Sequence, residues 1–289
     1  MKTMKPFSLS LNGRIVEYDC TAVMGIINAT TDSFYAASRV EGADIASRAI
    51  SMIENGADML DIGAYSSRPG AADVPEAVER EQLCKAVRIV RKAVGTDVPI
   101  SVDTFRASVA EAAIDAGADI INDISGGDLD SRMFETVARL RVPYILMHMR
   151  GTPATMQQLT QYKNVVTDVI GELSRKIYRL EEAGVADIIV DPGFGFAKTL
   201  EQNYKLMAGL NLFNDILGKP VLVGVSRKSM LTRLLGINAD DALTPTAVLG
   251  ALAVERGAAI LRVHDPLEAA QSIRIIQALK NATPCSTSE

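Results

Sequence analysis

Almost every short apolar run in this 289-residue chain ends in a side chain that donates, accepts or carries charge. In chain order these are Asn28, Asp61, Asp103, Asn122 with Asp123, His148, Asp191, Ser226 with Arg227 and Lys228, and Arg262 with His264. They fall into two kinds of chemistry. Asp61, Asp103, Asn122 and Asp191 offer acceptors and an amide to a polar heterocycle that carries N–H donors. Arg68, Arg227, Lys228, Arg262 and His264 suit anionic oxygens, which guanidinium and ammonium groups bind through charge-assisted hydrogen bonds. Arg68 lies in the turn-forming run Ser66-Ser67-Arg68-Pro69-Gly70, whose backbone donors fit an anion-binding loop. A ligand that joins an amidine-like ring to a phosphate would use both sets. Helix capping by Asp and Asn accounts for any one of these positions, but not readily for the whole succession. No cluster has zinc-ligand spacing, and no Ser-His-Asp or Cys-His arrangement is suggested.

These groups need a scaffold that gathers strand ends. A recurring unit supplies one: a helix closed by Gly, then Ala-Asp or a near relative, then a short apolar run. It appears at Gly56-Ala57-Asp58, Gly117-Ala118-Asp119, Gly184-Val185-Ala186-Asp187 and Gly257-Ala258-Ala259. Gly tolerates the left-handed backbone that ends a helix, and an unbroken apolar run fits a strand buried on both faces. The four glycines are 61, 67 and 73 residues apart, twice the roughly 30 residues of one strand–helix unit. Intermediate strands at Ala22–Ile27, Val98–Val102, Val142–Met147 and Val221–Val225 fill the series. Apolar positions Val166, Ile170, Leu173, Ile177 and Leu180 recur at helical steps within 163–183. Similar helical stretches run over 42–55, 75–94, 105–116, 130–140, 199–210, 243–256 and 266–280. Eight strands alternating with eight helices predict an α/β fold, a single (β/α)8 TIM barrel over 21–281. Residues 1–20 read as a short N-terminal hairpin and 282–289 as a frayed tail. An open doubly wound sheet is the alternative.

Composition narrows the class of function. The net charge of −5 marks neither a nucleic-acid nor a membrane-surface binder. No apolar run is long enough to span a bilayer, and the start, Met1 to Leu11, is too polar for a secretion signal. Cys20, Cys84 and Cys285 are scattered and odd in number, as expected of reduced thiols in the cytoplasm.

The strand-end motifs also resemble a family. Met24-Gly25-Ile26-Ile27-Asn28 through Phe34, Asp61-Ile62-Gly63 through Ala71, and Ser101-Val102-Asp103-Thr104 resemble, in order, conserved segments of the dihydropteroate synthases. So do Ile121-Asn122-Asp123, Leu146-Met147-His148-Met149, Asp191 through Phe196, Ser226-Arg227-Lys228-Ser229 and Arg262-Val263-His264-Asp265. The resemblance implies a transferase of folate biosynthesis that joins 6-hydroxymethyl-7,8-dihydropterin diphosphate to p-aminobenzoate and releases pyrophosphate, in the target class of sulfonamides. It implies that Asp103, Asn122, Asp191, Lys228 and Phe196 hold the pterin, with Asp191 facing its 2-amino and N3 hydrogens. It assigns the diphosphate to Asn28, Arg262 and His264, with Mg2+ near Asn28. Ser67, Arg68, Lys228 and Ser229 would border p-aminobenzoate. Lys228, Arg262, His264 and Asp103 would carry catalysis by positioning and charge stabilisation, without a dedicated general base, and a homodimer through the later helices is implied.

Departures from the family pattern are Tyr65 for Glu, Ser67 for Thr, Ala29, Thr31, Tyr35 and Ala36 in the first loop, and Ala197 for Gly. They bear on p-aminobenzoate and sulfonamide affinity more than on the reaction. Other readings stay open. A related pterin-binding barrel could move a methyl group from a folate to a corrinoid, and an inactive barrel could serve as a scaffold. His148 reads either as core or as site, Phe196 either as core or as a shelf for an aromatic ligand, and Asp61 as a ligand contact or a support for the second loop.

Overall fold

A computed structural model describes residues 4–29, 40–65 and 74–282. The first two strands, β1 (Phe7–Leu11) and β2 (Arg14–Tyr18), pair antiparallel as the expected hairpin. Eight parallel strands follow: β3 (Ala22–Asn28), β4 (Met59–Gly63), β5 (Ile100–Asp103), β6 (Ile120–Asp123), β7 (Tyr144–Met147), β8 (Ile188–Asp191), β9 (Leu222–Val223) and β10 (Ile260–Val263). Neighbours in sequence are neighbours in space from β3 to β8, and β10 lies between β9 and β3. A single bridge, Val190 to Val221, brings β9 against β8. That closure gives a barrel and excludes the open doubly wound alternative.

Three strands start later than expected, for one reason. Pro99, Pro143 and Pro220 stand just before β5, β7 and β9 and have no N–H for the ladder. Their carbonyls still pair, accepting from Leu60 N at 3.0 Å, Ile121 N at 3.1 Å and Val190 N at 2.9 Å.

The helices are α1 (Val40–Glu54), α2 (Glu76–Val94), α3 (Ala107–Asp115), α4 (Met133–Leu140), α5 (Val165–Glu182), α6 (Leu200–Ala208), α7 (Leu210–Leu217), α8 (Ser229–Leu235), α9 (Leu243–Glu255) and α10 (Pro266–Asn281). Two of them, α7 and α8, go beyond the eight expected. The chain turns at Gly209 after α6 and starts α7 at once, so a second helix follows the one expected over 199–210.

The recurring Gly unit has a physical explanation. Gly56, Gly117, Gly184 and Gly257 all take φ between 90° and 111°. Each N–H bonds the carbonyl three residues back, and the next N–H reaches five back, as Ala57 N does to Met52 O at 2.9 Å. The Asp that follows then anchors another strand: Asp58 Oδ2 accepts from Val23 N and Asp119 Oδ2 from Ile100 N, each at 2.7 Å. The unit ends a helix and sets a strand register in one stroke.

Two apolar layers result. One lies between the outer face of the barrel and the helices. The other fills the barrel floor with Met24, Met59, Ile120, Ile145, Ile189 and Ile260, closed from below by Leu9 and Leu11 of the hairpin. Above that floor the inward-facing residues turn polar.

The outer layer holds a small apolar void between β9, β10, α9 and α10, lined by Val223, Leu261, Gly250 and Ala269 among others. A Cβ at Gly250 would meet Leu261 Cδ1 at 3.6 Å, an ordinary contact. Gly250→Ala should therefore stabilise the fold by about 1 kcal/mol, from reduced chain entropy and better packing. A thermal melt should show Tm higher by about 2–4 °C; a lower Tm would mean that α9 cannot accept the methyl group.

Candidate active site

The polar layer at the C-terminal ends of the strands is where barrel enzymes place their chemistry. Strand alternation decides which residues reach it. On β4 and β5, Leu60, Ile62, Ile100 and Val102 pack outward against the helices. Asp61, Ser101 and Asp103 therefore point inward, and Asp61 lies opposite Ser101 in the strand register.

Arg262 sits at the centre. Its Nε donates to Asp61 Oδ2 at 2.6 Å and its Nη2 to Asp103 Oδ2 at 3.0 Å. Asn122 Nδ2 donates to the same Asp61 oxygen at 3.1 Å. Asp61 is fully buried and its Oδ1 has no hydrogen-bond partner, nor has Ser101 Oγ beside it. Asp61 thus holds Arg262 and Asn122, neither of which is in the second loop. Burial, only partly offset by Arg262, pushes Asp103 up to about 7, with Asp61, Glu79 and Asp123 adding to the rise.

Lys228 completes the group from the other side. It is the N-cap of α8, and its Nζ donates to Phe194 O at 2.7 Å. The ammonium stands 4.8 Å from the centre of the Phe196 ring, within cation–π range. Gly224 leaves room for it, since a Cβ there would lie 3.8 Å from Lys228 Nζ and 3.9 Å from Arg262 Cβ. Burial brings Lys228 down to about 8, against the opposing pull of Asp191 and Asp103. Phe196 is half-buried, a ring that forms part of the wall.

Asp191 ends β8 and accepts from Gly193 N at 2.7 Å. Burial raises its carboxyl, with Lys228 the strongest opposing charge. Gly193 cannot be replaced: its φ is 71°, and a Cβ would sit 1.9 Å from His148 O. Ala197 in the same loop also adopts a positive φ of 50°, at a cost on the order of 1 kcal/mol for a residue with a Cβ.

His264 is held by Ser226, whose Oγ lies 3.0 Å from Nδ1 and accepts from His264 N at 3.2 Å. The hydroxyl keeps a second lone pair, so it can accept from Nδ1–H or donate to Nδ1; where it donates, the ring proton stands on Nε2. Burial and Arg262 bring His264 down to about 4, so the ring is neutral. Asn28 is exposed at the end of β3, and Ser229 is exposed at the first turn of α8. Ser67 and Arg68, expected at the p-aminobenzoate side, lie outside the described residues, as does most of the first loop.

Three strand-end residues do not join the site, among them His148, whose ring nitrogens face Lys198 and Glu172. Arg227 forms a fork with Asp265, Nε to Oδ2 at 2.8 Å and Nη2 to Oδ1 at 2.9 Å, and donates to the carbonyls of Ala239 and Asp240. It is a structural clamp and not an anion ligand. Asp123 alternates to the outer face, where it accepts from Ser125 N, Gly127 N and the Tyr144 hydroxyl.

The sequence reading missed other groups. Buried Glu79 of α2 accepts from Thr104 Oγ1 at 2.6 Å and pairs with Arg106. Arg106 also donates to Val74 O at 2.9 Å and lies 5.7 Å over Tyr65, so it holds the residues that flank 66–73. Lys198 is buried behind Asp191, and His148 binds it. Glu79 is hidden among the charges of Glu76 to Glu81, and only Lys198, after Phe194-Gly195-Phe196-Ala197, stands out as a charge beside an apolar stretch.

A family described as pterin binding enzyme matches residues 24–264. The chain is 38% identical over 259 residues to the dihydropteroate synthase of Clostridium beijerinckii, covering 88% of this chain and 93% of that one. It is also similar to the solved structure of Xanthomonas albilineans dihydropteroate synthase with 4-aminobenzoic acid, with a TM-score of 0.87 and 35% identity, covering 96% and 99% of the two chains. For the enzyme of the same organism in complex with 7,8-dihydropteroate, the TM-score is 0.84 and the identity 33%, covering 96% and 100%.

Proposed function

Because the chain belongs to the pterin-binding enzymes, and among them to the dihydropteroate synthases, we infer the roles of its strand-end residues from the reaction of that family. It is a transferase that condenses 6-hydroxymethyl-7,8-dihydropterin diphosphate with p-aminobenzoate to give 7,8-dihydropteroate and pyrophosphate. The observation that carries the residue assignment is Arg262, braced by Asp61 and Asp103 beside Lys228.

Asp191 accepts from the 2-amino and N3 hydrogens of the pterin, a bidentate pair that fixes the ring. Asn122 and Asp103 address the remaining ring edge, and Phe196 with Lys228 forms one wall. Arg262 and the Nε2–H of His264 donate to the diphosphate. In the reaction the C–O bond from the pterin methylene to the diphosphate breaks, and its electron pair leaves with pyrophosphate. The pterin ring shares the positive charge that develops, while Arg262, His264 and Lys228 stabilise the departing anion. The aryl amine then bonds to the methylene carbon and loses a proton. Its own lone pair suffices, so the residues supply position and charge. Ser229 faces the carboxylate of p-aminobenzoate, with Ser67 and Arg68 expected beside it. A sulfonamide that copies this amine and anion should compete there.

Magnesium fits only with help from the substrate. Among the described residues no three His, Cys, Asp or Glu side chains gather to hold a metal, whereas Asn28 is exposed at the strand end with a side-chain oxygen. Mg2+ usually takes one or two protein groups and fills its shell with phosphate oxygens and water, and when bound it would neutralise diphosphate charge.

We also propose a cytoplasmic location, which the free thiols of Cys20 and Cys84 favour. A homodimer through α9 and α10 is supported by Val248, Leu252, Leu267 and Ile275, which are exposed apolar residues on these two packed helices. Light scattering should give twice the chain mass, and Ile275→Glu should shift it to the single chain. A monomeric parent protein would refute this interface.

The decisive assay is pyrophosphate release by the purified protein with Mg2+ and pterin diphosphate, with and without p-aminobenzoate. Release that needs p-aminobenzoate and yields dihydropteroate is expected. Pterin binding without either product would overturn the assignment.

A further inference from the structure

The loop after β8 forms much of the site wall, and the buried cation at its end plays no part in the chemistry above. Lys198 is 3% exposed. Its Nζ donates to Gly193 O and Phe196 O, each at 2.9 Å, and lies 3.0 Å from His148 Nδ1. An ammonium has three N–H donors, and these three acceptors use them all. None is left for a substrate.

The third acceptor is itself fixed. His148 Nδ1 faces a group that only donates, so the ring proton sits on Nε2, which is 2.9 Å from Glu172 Oε2. Glu172 is paired in turn with Arg150, whose guanidinium lies 3.8 Å over the Tyr162 ring. A connected run, Arg150, Glu172, His148 and Lys198, therefore leads from the protein surface to the underside of the loop.

We propose that Lys198 is a positioning residue for the pterin: by tying the Gly193 and Phe196 carbonyls together, it sets the loop that aims Asp191 and seats Lys228. The links are direct. Gly193 N donates to Asp191 Oδ1 at 2.7 Å. Phe194, between the two tied carbonyls, accepts from Lys228 Nζ at 2.7 Å. The Phe196 ring lies beneath the same ammonium. The inference rests on the assignment of Asp191 to the pterin.

An ammonium is a costly strut, since an apolar chain of similar length fills a buried space without desolvating a charge. What it adds is three directed bonds to one loop. Asp191 from β8, Lys228 from α8, Glu172 from α5 and Arg150 after β7 all act on it, and burial brings it down to about 7. His148 is held down to about 4 by burial and by Lys198, against Glu172 and alongside Lys176, both of α5. A neutral imidazole is the form that can accept from Lys198.

The test compares Lys198→Met and Glu172→Gln with the parent enzyme in full-length form with Mg2+. Lys198→Met should raise KM for pterin diphosphate at least about tenfold, the loss of one to two loop bonds. KM for p-aminobenzoate at saturating pterin diphosphate should change by less than about threefold, and kcat should fall by a smaller factor than KM for pterin diphosphate rises, because the backbone of Lys228 stays fixed at the start of α8. Glu172→Gln, at a partly exposed site, should raise the same KM by about threefold. The chain has only two histidines, so nitrogen NMR assigns them readily. His148 should show the Nε2–H form in the parent, and its pKa should rise in Lys198→Met because the nearby positive charge is gone. Unchanged pterin KM in both variants would overturn the proposal, as would a parallel rise in both KM values with a matching fall in kcat. If Lys198→Met does not fold, Glu172→Gln with the histidine spectrum decides alone. A parent enzyme without p-aminobenzoate-dependent turnover would instead refute the assignment on which this rests.

Discussion

Arg262→Leu should reduce kcat/KM for pterin diphosphate by about three orders of magnitude, the scale of removing one preorganised charge from a transition state (roughly 4 kcal/mol). The loss is larger than that of one phosphate contact because Arg262 also neutralises Asp61 and Asp103. Without it, buried Asp61 and half-buried Asp103 face each other across adjacent strands with no cation between them, at a cost of up to about 3 kcal/mol, the low end for breaking a buried pair. The variant should therefore be less stable as well as less active.

The pH dependence separates these effects. Asp103 is already raised from 3.8 to about 7 in the folded protein. Because the folded state binds this proton more tightly than the unfolded chain, the carboxylate opposes folding increasingly as pH rises from about 4 to about 7. Arg262 is what restrains the shift, so its removal moves the folded pKa higher and extends the window upward. The Tm deficit of the variant should shrink toward pH 5 and widen toward pH 8, measured by melting across that range. Activity within tenfold of the parent at an unchanged Tm would remove Arg262 from the centre of the site.

Lys228→Ala should lower kcat/KM by about 10²–10³-fold and change the shape of the pH profile. In the parent, Asp103 must be ionised and Lys228 protonated. Limbs are therefore expected near the values of about 7 and about 8 set by burial and by their mutual charges. The alanine variant keeps the acid limb and loses the alkaline one, because the group that deprotonates near 8 is gone. Stability should change little. Lys228 lies below its ordinary 10.5, so the folded state gains nothing from its charge, and the lost bond to Phe194 O is a single one. Near-normal turnover, or an alkaline limb that persists unchanged, would contradict the role given to Lys228.

Much of this was legible in the residues themselves. The Gly-Ala-Asp units at Gly56 and Gly117, and their relative Gly184-Val185-Ala186-Asp187, mark helix ends and strand starts because a left-handed residue and a short carboxylate have few other uses in succession. A polar residue that ends an apolar run marks the top of a barrel strand, and Asp61, Asp103, Asn122, Asp191 and Arg262 all meet there. Local chemistry decides these features, so sequence carries them.

Other features were decided only by tertiary structure. Asn122 and Asp123 are neighbours of similar character, yet one faces the site and the other the outer layer. A run buried on both faces has no polar alternation from which to read the phase. Arg227 and Lys228 diverge because Asp265 and the carbonyls after α8 capture the first, while Gly224 makes space for the second. Lys198 reads as a surface lysine in sequence and is buried because two carbonyls of its own loop, Gly193 and Phe196, and the distant His148, 50 residues back, close around it. A long polar side chain takes its environment from whatever the fold brings to its tip: here the curl of its own loop and the placing of His148 by β7, neither of which the residue types alone reveal.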